Sequence, residues 1–183
     1  MINDIEDTSD TDLKNGKKRV AKKLAEQLIK DCHIDTPPVL INTIVQHLHK
    51  TLGYQIYCRS SELSDKFSGQ IAKSGKTVGI MYNKNHHQVR QRFTVAHEIG
   101  HLMLEHGIVI SDYKEVIDFK TQSPIEVEAN IFGAELIMPG FILRKYLKKK
   151  YTESVKKLSE VFNVSEEAMW YKVVEDKLIK YVG

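Results

Sequence analysis

The stretch His97-Glu98-Ile99-Gly100-His101 decides how the chain reads. Two histidines four residues apart share one face of a helix, so both imidazoles can reach a single metal ion, and the carboxylate beside the first can reach a water bound there. The flanks predict that helix. Between Val89 and His106, Thr94, His97, Glu98, His101 and Glu105 fall in one polar arc at about 100° per residue, while Phe93, Val95, Ile99, Leu102 and Met103 cover the rest. Such a helix is buried on most sides and opens one polar stripe on a cleft, and Gly107 is placed to close it. The five residues also arise by chance, with both histidines merely hydrogen-bonded, so a third ligand has to decide between the readings. The longer motif with a third histidine is excluded, because Leu104 and Gly107 stand at its glycine and histidine positions.

The helix expected after Ser123-Pro124 is the natural source of that ligand. Ile125, Ala129, Phe132 and Leu136 form one apolar stripe, and Val127, Ile131, Ala134 and Met138 form another roughly opposite, so the helix is packed on two sides. Two polar stripes lie between them: Glu126 with Asn130, bordered by Gly133, and Glu128 with Glu135. One should face solvent and the other the cleft. An acid and an amide one turn apart can supply a metal ligand and a hydrogen bond that fixes a ligating histidine, which favours Glu126 as ligand and Asn130 as its supporter. Ser123-Pro124-Ile125-Glu126 is also a capping-box sequence, in which the carboxylate would only satisfy a backbone N–H. In that case Glu128 is next in line, with Glu105, Asp112, Glu115 and Asp118 behind it.

Outward from these helices, the chain has the size and composition of one compact domain: 183 residues, 42% hydrophobic and 28% charged. Residues 1–12 carry five acidic side chains and little to bury, and read as a flexible acidic tail. Residues 13–36 read as an N-terminal helix with a basic outer face. The core spans 37–140. Pro37-Pro38 precedes a second helix ended by Gly53, and strands follow at Tyr54 to Cys58, Gln70 to Lys73 and Thr77 to Tyr82, forming a small antiparallel sheet packed on the motif helix. Residues 141–183 read as a helical extension on that core. The fold class is α+β.

Composition also excludes. Cys32 and Cys58 are too few for a disulfide framework, match no zinc ribbon or redox pair, and read as buried thiols. Eight histidines against two cysteines direct attention to an imidazole-based site. No apolar run approaches the roughly 18 residues of a membrane span, and the N-terminus is acidic where a signal peptide is basic, so a cytoplasmic protein is expected. A net charge of +3 is too mild to imply nucleic-acid binding. Thr152 to Phe162 and Glu166 to Leu178, joined at Asn163-Val164-Ser165, have the look of a helix-turn-helix, but Glu166 and Glu167 open the second helix and would repel phosphates. Structural packing is the better reading there, with Trp170 and Tyr171 as packing residues and no direct nucleic-acid contact.

The segments Arg90 to His101 and Glu126 to Pro139 together resemble the ImmA/IrrE family of zinc-dependent metallopeptidases, and the likeness extends in outline from about Pro37 to Leu178. The resemblance implies a zincin-like domain in which His97, His101 and Glu126 hold Zn2+ and Glu98 is the general base. Three protein ligands leave a fourth position for water, the layout of a catalytic zinc site. Gly133 departs from the commoner alanine and is expected to loosen helix packing without touching a ligand. The family resemblance further implies an endopeptidase whose protein substrate is a helix-turn-helix repressor encoded on a mobile element or prophage. The alternative is a zinc-binding regulator that binds a partner protein or DNA without cleaving. The strand Thr77 to Tyr82, if it is a sheet edge, would pair with an extended substrate. Arg90 and Arg92 either hold a substrate carboxylate or decorate the helix start, with decoration favoured.

Overall fold

In the computed structural model the described residues are 6–107, 123–150 and 153–183, with side chains described for 15–107, 123–148 and 153–183. In chain order the elements are α1 (Glu6–Asp31), α2 (Ile41–Leu52), β1 (Gln55–Ser61), β2 (Gly69–Ser74), β3 (Thr77–Asn83), α3 (Gln88–Met103), α4 (Pro124–Ile137), α5 (Gly140–Lys150), α6 (Val155–Phe162) and α7 (Glu166–Glu175), closed by a 3-10 turn over Ile179–Tyr181. The α+β class follows. The first helix begins at Glu6, ahead of the Leu13 at which its apolar spacing starts.

α1 buries Ala21, Ala25, Leu28 and Ile29 and runs along α4. α2 buries Ile44 and Leu48 and ends at Gly53, whose φ of 68° lets its N–H turn back to the His49 carbonyl.

The sheet has the order β1-β3-β2 and is mixed. β2 and β3 form the expected antiparallel hairpin, but β1 pairs with β3 in parallel, from Gln55 opposite Thr77 to Ser61 opposite Asn83. Residues 62–68 carry the chain past β3 to its far side. The all-antiparallel arrangement is therefore corrected, and so is the idea of Thr77 to Tyr82 as an edge: β3 is the central strand. Val78 and Ile80 are buried, and the exposed edges are β1 and β2.

One apolar cluster joins α1, α2, β3, α3, α4 and α5 to α6 and α7 through Leu158, Phe162, Val164, Met169 and Val173. The helix-turn-helix segment thus packs on the core. Ser165 caps α7 by accepting the Ala168 N–H, with Glu166 and Glu167 in the first turn, as dipole and capping rules favour. Trp170 and Tyr171 are not the packing residues: they are 47% and 65% exposed, and Met169 and Val173 fill the core instead. The cysteines are likewise not buried. Cys58 is exposed and Cys32 half-buried, with burial and the nearby Asp31 pushing the Cys32 thiol up to about 11. Among the described residues no helix is long and apolar enough to cross a membrane.

Candidate metal centre

α3 leaves the sheet directly from β3 and is buried from Thr94 to Leu102, so His97, Glu98 and His101 all lie inside the protein. α4 crosses it with glycines at the closest points. Gly100 faces the Ala129 carbonyl and Phe132, and Gly133 faces the backbone of His97. This close crossing brings Glu126, in the first turn of α4, over the two imidazoles.

His97 Nε2 and His101 Nε2 are 3.0 Å apart, and Glu126 reaches them at 3.1 Å through Oε2 and 3.4 Å through Oε1. One ligand atom from each residue lies within 4.8 Å of the others. Donors bound at about 2.0–2.1 Å on a tetrahedral ion stand roughly 3.3 Å from one another, so the spacing suits zinc. The proton placement suits it too. His97 Nδ1 donates to Asn130 Oδ1 at 2.8 Å, which leaves the Nε2 lone pair of the neutral ring on the side of His101 and Glu126. Electron-pair donors converging in this way call for a cation between them.

Several alternatives drop away. Ser123 makes no side-chain capping bond, and the Glu126 carboxylate lies at the imidazoles. Glu128 lies 3.5 Å from His106 Nε2, and Glu105 is an exposed residue in the left-handed region at φ 54°. That residue, not Gly107, turns the chain at the end of α3. Asp112, Glu115 and Asp118 lie outside the described residues. Of the two polar stripes on α4, Glu126 and Asn130 face the cleft, but the other does not face solvent. Glu135 is 1% exposed and held by Lys172 and the Gly140 N–H.

Neither arginine lies free at the helix start. Arg90 donates to Ser68 Oγ at 3.0 Å, and Arg92 donates to the carbonyls of Phe162, Asn163 and Val39. A residue that sequence reasoning missed is Asn83. It is fully buried at the end of β3, and its amide donates to the carbonyls of Leu63, Ser64 and Phe67, shaping the loop between β1 and β2.

A short sheet packed on an H-E-x-x-H helix, crossed by a second helix that brings a glutamate, defines a zincin-like metallopeptidase domain. The chain belongs to the IrrE N-terminal-like domain family, peptidase family M78, whose model matches residues 52–173. It is 27% identical over 137 residues to "Uncharacterized immunity region protein 2" of Bacillus phage phi105, covering 72% of this chain and 76% of that one. Among solved structures it resembles a Mycobacterium tuberculosis transcriptional regulator with a TM-score of 0.56 at 16% identity, a likeness of fold. That match covers 85% of this chain, which spans 46% of the regulator's length.

Proposed function

We propose that the chain is a zinc-dependent endopeptidase that cleaves a protein substrate, a helix-turn-helix repressor encoded on a mobile element or prophage. The observation that carries this reading is the convergence of His97, His101 and Glu126 beside Glu98 in the domain of a peptidase family. Similarity to a phage immunity region protein supports a regulator of a mobile element as the substrate.

His97, His101 and Glu126 would hold the ion, which when bound acidifies a water and polarises the substrate carbonyl. Glu98 is buried beside His97, where it accepts the proton of the attacking water and returns it to the departing amine. Asn130 keeps the His97 ring in one tautomer and one orientation. The strand that receives an extended substrate is β2 rather than β3. It is an edge, it pairs antiparallel with β3 on its inner side, and it packs against α3.

The test is incubation of the zinc-loaded protein with the repressor encoded beside it. Cleavage at a defined bond is expected, with Glu98→Gln binding zinc stoichiometrically and cutting at least about a hundredfold more slowly. A Glu98→Gln protein that still relieves repression in cells overturns the peptidase reading in favour of a regulator that acts by binding.

A further inference from the structure

The two nitrogens of His101 face different neighbours. Nε2 lies towards His97 and Glu126, while Nδ1 is 3.0 Å from Nδ1 of His106. The His106 ring meets His101 edge-on at 5.0 Å between centroids and 69° between planes. Behind it, His106 Nε2 is 3.5 Å from Glu128 Oε2, whose other oxygen is 3.9 Å from Lys17 Nζ. The side chains of His106 and Glu128 are only 8% and 13% exposed.

We propose that His106 and Glu128 are positioning residues for the metal ligand His101, the counterpart of Asn130 behind His97. The proposal rests on the metal-site reading above. A nitrogen that binds a cation carries no proton, so a His101 ligating through Nε2 holds its proton on Nδ1. That proton is donated to His106 Nδ1, which must then be the acceptor nitrogen of its own ring. His106 therefore carries its proton on Nε2, aimed at the Glu128 carboxylate. Each step fixes the next, and the carboxylate at the end makes His106 a better acceptor and His101 a better ligand.

The backbone is arranged for the same contact. After Met103 the chain reverses at Glu105, whose positive φ is costly for a residue with a side chain, and the His106 N–H bonds back to the His101 carbonyl at 3.1 Å. The reversal folds the His106 ring over the last turn of α3. α4 supplies both outer partners, Asn130 for His97 directly and Glu128 for His101 through His106. One helix crossing thus sets the ligand and the orientation of both imidazoles.

The experiment is zinc affinity of the apo-protein, measured without peptide by competition with a chromophoric chelator. His106→Phe, which keeps ring volume but offers no acceptor, should lose about 10–100-fold in affinity, and His106→Gln, whose amide oxygen can accept from Nδ1, should recover part of it. Glu128→Gln should cost less than His106→Phe, and the double variant should bind no more weakly than His106→Phe alone, because the two act in series. Wild-type affinity in His106→Phe, or additive losses in the double variant, would overturn the proposal. Because no substrate is present, a protein that binds zinc and cleaves nothing would refute the peptidase reading and leave this result standing. A wild-type protein that takes up no zinc would sink both.

Discussion

A methyl group on Gly133 would stand 3.0 Å from the backbone nitrogen of His97 and 3.1 Å from its Cα. The glycine therefore tightens the crossing of α3 and α4, contrary to the expectation that it loosens packing away from the ligands. Contacts this short are with backbone, which cannot swing aside, so an added Cβ must displace one helix by a few tenths of an ångström. Glu126 and Asn130 move with α4.

Gly133→Ala should accordingly weaken zinc binding several-fold and lower the stability of the apo-protein by about 1 kcal/mol, the lower end of overpacking costs. Chelator competition and thermal unfolding read the two effects separately. Unchanged zinc affinity would mean that the helices adjust without carrying the ligands along.

Arg92 makes a second prediction. Its guanidinium spans three backbone carbonyls: Phe162 and Asn163, each at 2.9 Å from Nη1, and Val39 from Nη2. Burial brings its pKa down to about 10, so it stays charged at neutral pH. It ties the end of α6 and the segment before α2 to the motif helix, a role that neither substrate binding nor surface decoration describes. Lysine has the charge but not the planar fork. Arg92→Lys should cost roughly 2 kcal/mol, a fall of about 4–8 °C in Tm for a chain of this size, with KM for a peptide substrate unchanged. A raised KM at unchanged Tm would restore the substrate-clamp reading.

The metal-bearing face of α3 was legible because its period is local: Thr94, His97, Glu98 and His101 are brought together by one helix and nothing else. Glu126 and Asn130 were legible as a pair for the same reason. What their stripe faced was settled by partners far along the chain, and the opposite stripe shows the limit. Glu135 looks like a solvent-facing acid until Lys172, on α7, is packed against it. Asn83 gave no signal because its partners are backbone carbonyls of a loop, which carry no sequence identity. The parallel pairing of β1 was hidden in the same way. Residues 62–68 are short enough to read as a hairpin, and only the burial of β3 between two neighbours shows that they cross it. The turn at Glu105 broke the glycine rule for helix ends, and local rules fail most readily where a contact such as His106 with His101 compensates.

The buried charges at the back of α4 give the last prediction. Asp176, 2% exposed, lies 2.8 Å from Lys22, 3.4 Å from Lys172 and 3.3 Å from Arg144, and Glu135 shares Lys172 and stands 3.5 Å from Lys22. Burial by itself raises the Asp176 carboxyl, but Lys172, Lys22 and Arg144 outweigh it and hold the group below the usual carboxylate range. A carboxylate whose pKa is lower folded than unfolded stabilises the protein above its unfolded value of about 3.9, and that contribution is lost as pH falls through the folded value. Lys22 works in the opposite window. Burial lowers its pKa, the hydrogen bond to Asp176 and the charge of Glu135 more than restore it, and its share is lost only in strong alkali. Asp176→Asn leaves the buried Lys172 and the partly buried Lys22 short of counter-charge, so it should cost about 3 kcal/mol at pH 7 and flatten the loss of stability in acid. Urea unfolding from pH 3 to 8 measures both, and an acid limb unchanged from wild type would show that other carboxylates set it. Because Lys22 on α1 and Lys172 on α7 also pair with Glu135 of α4, the same variant should loosen the hold on α4, the helix that presents Glu126 to the imidazoles.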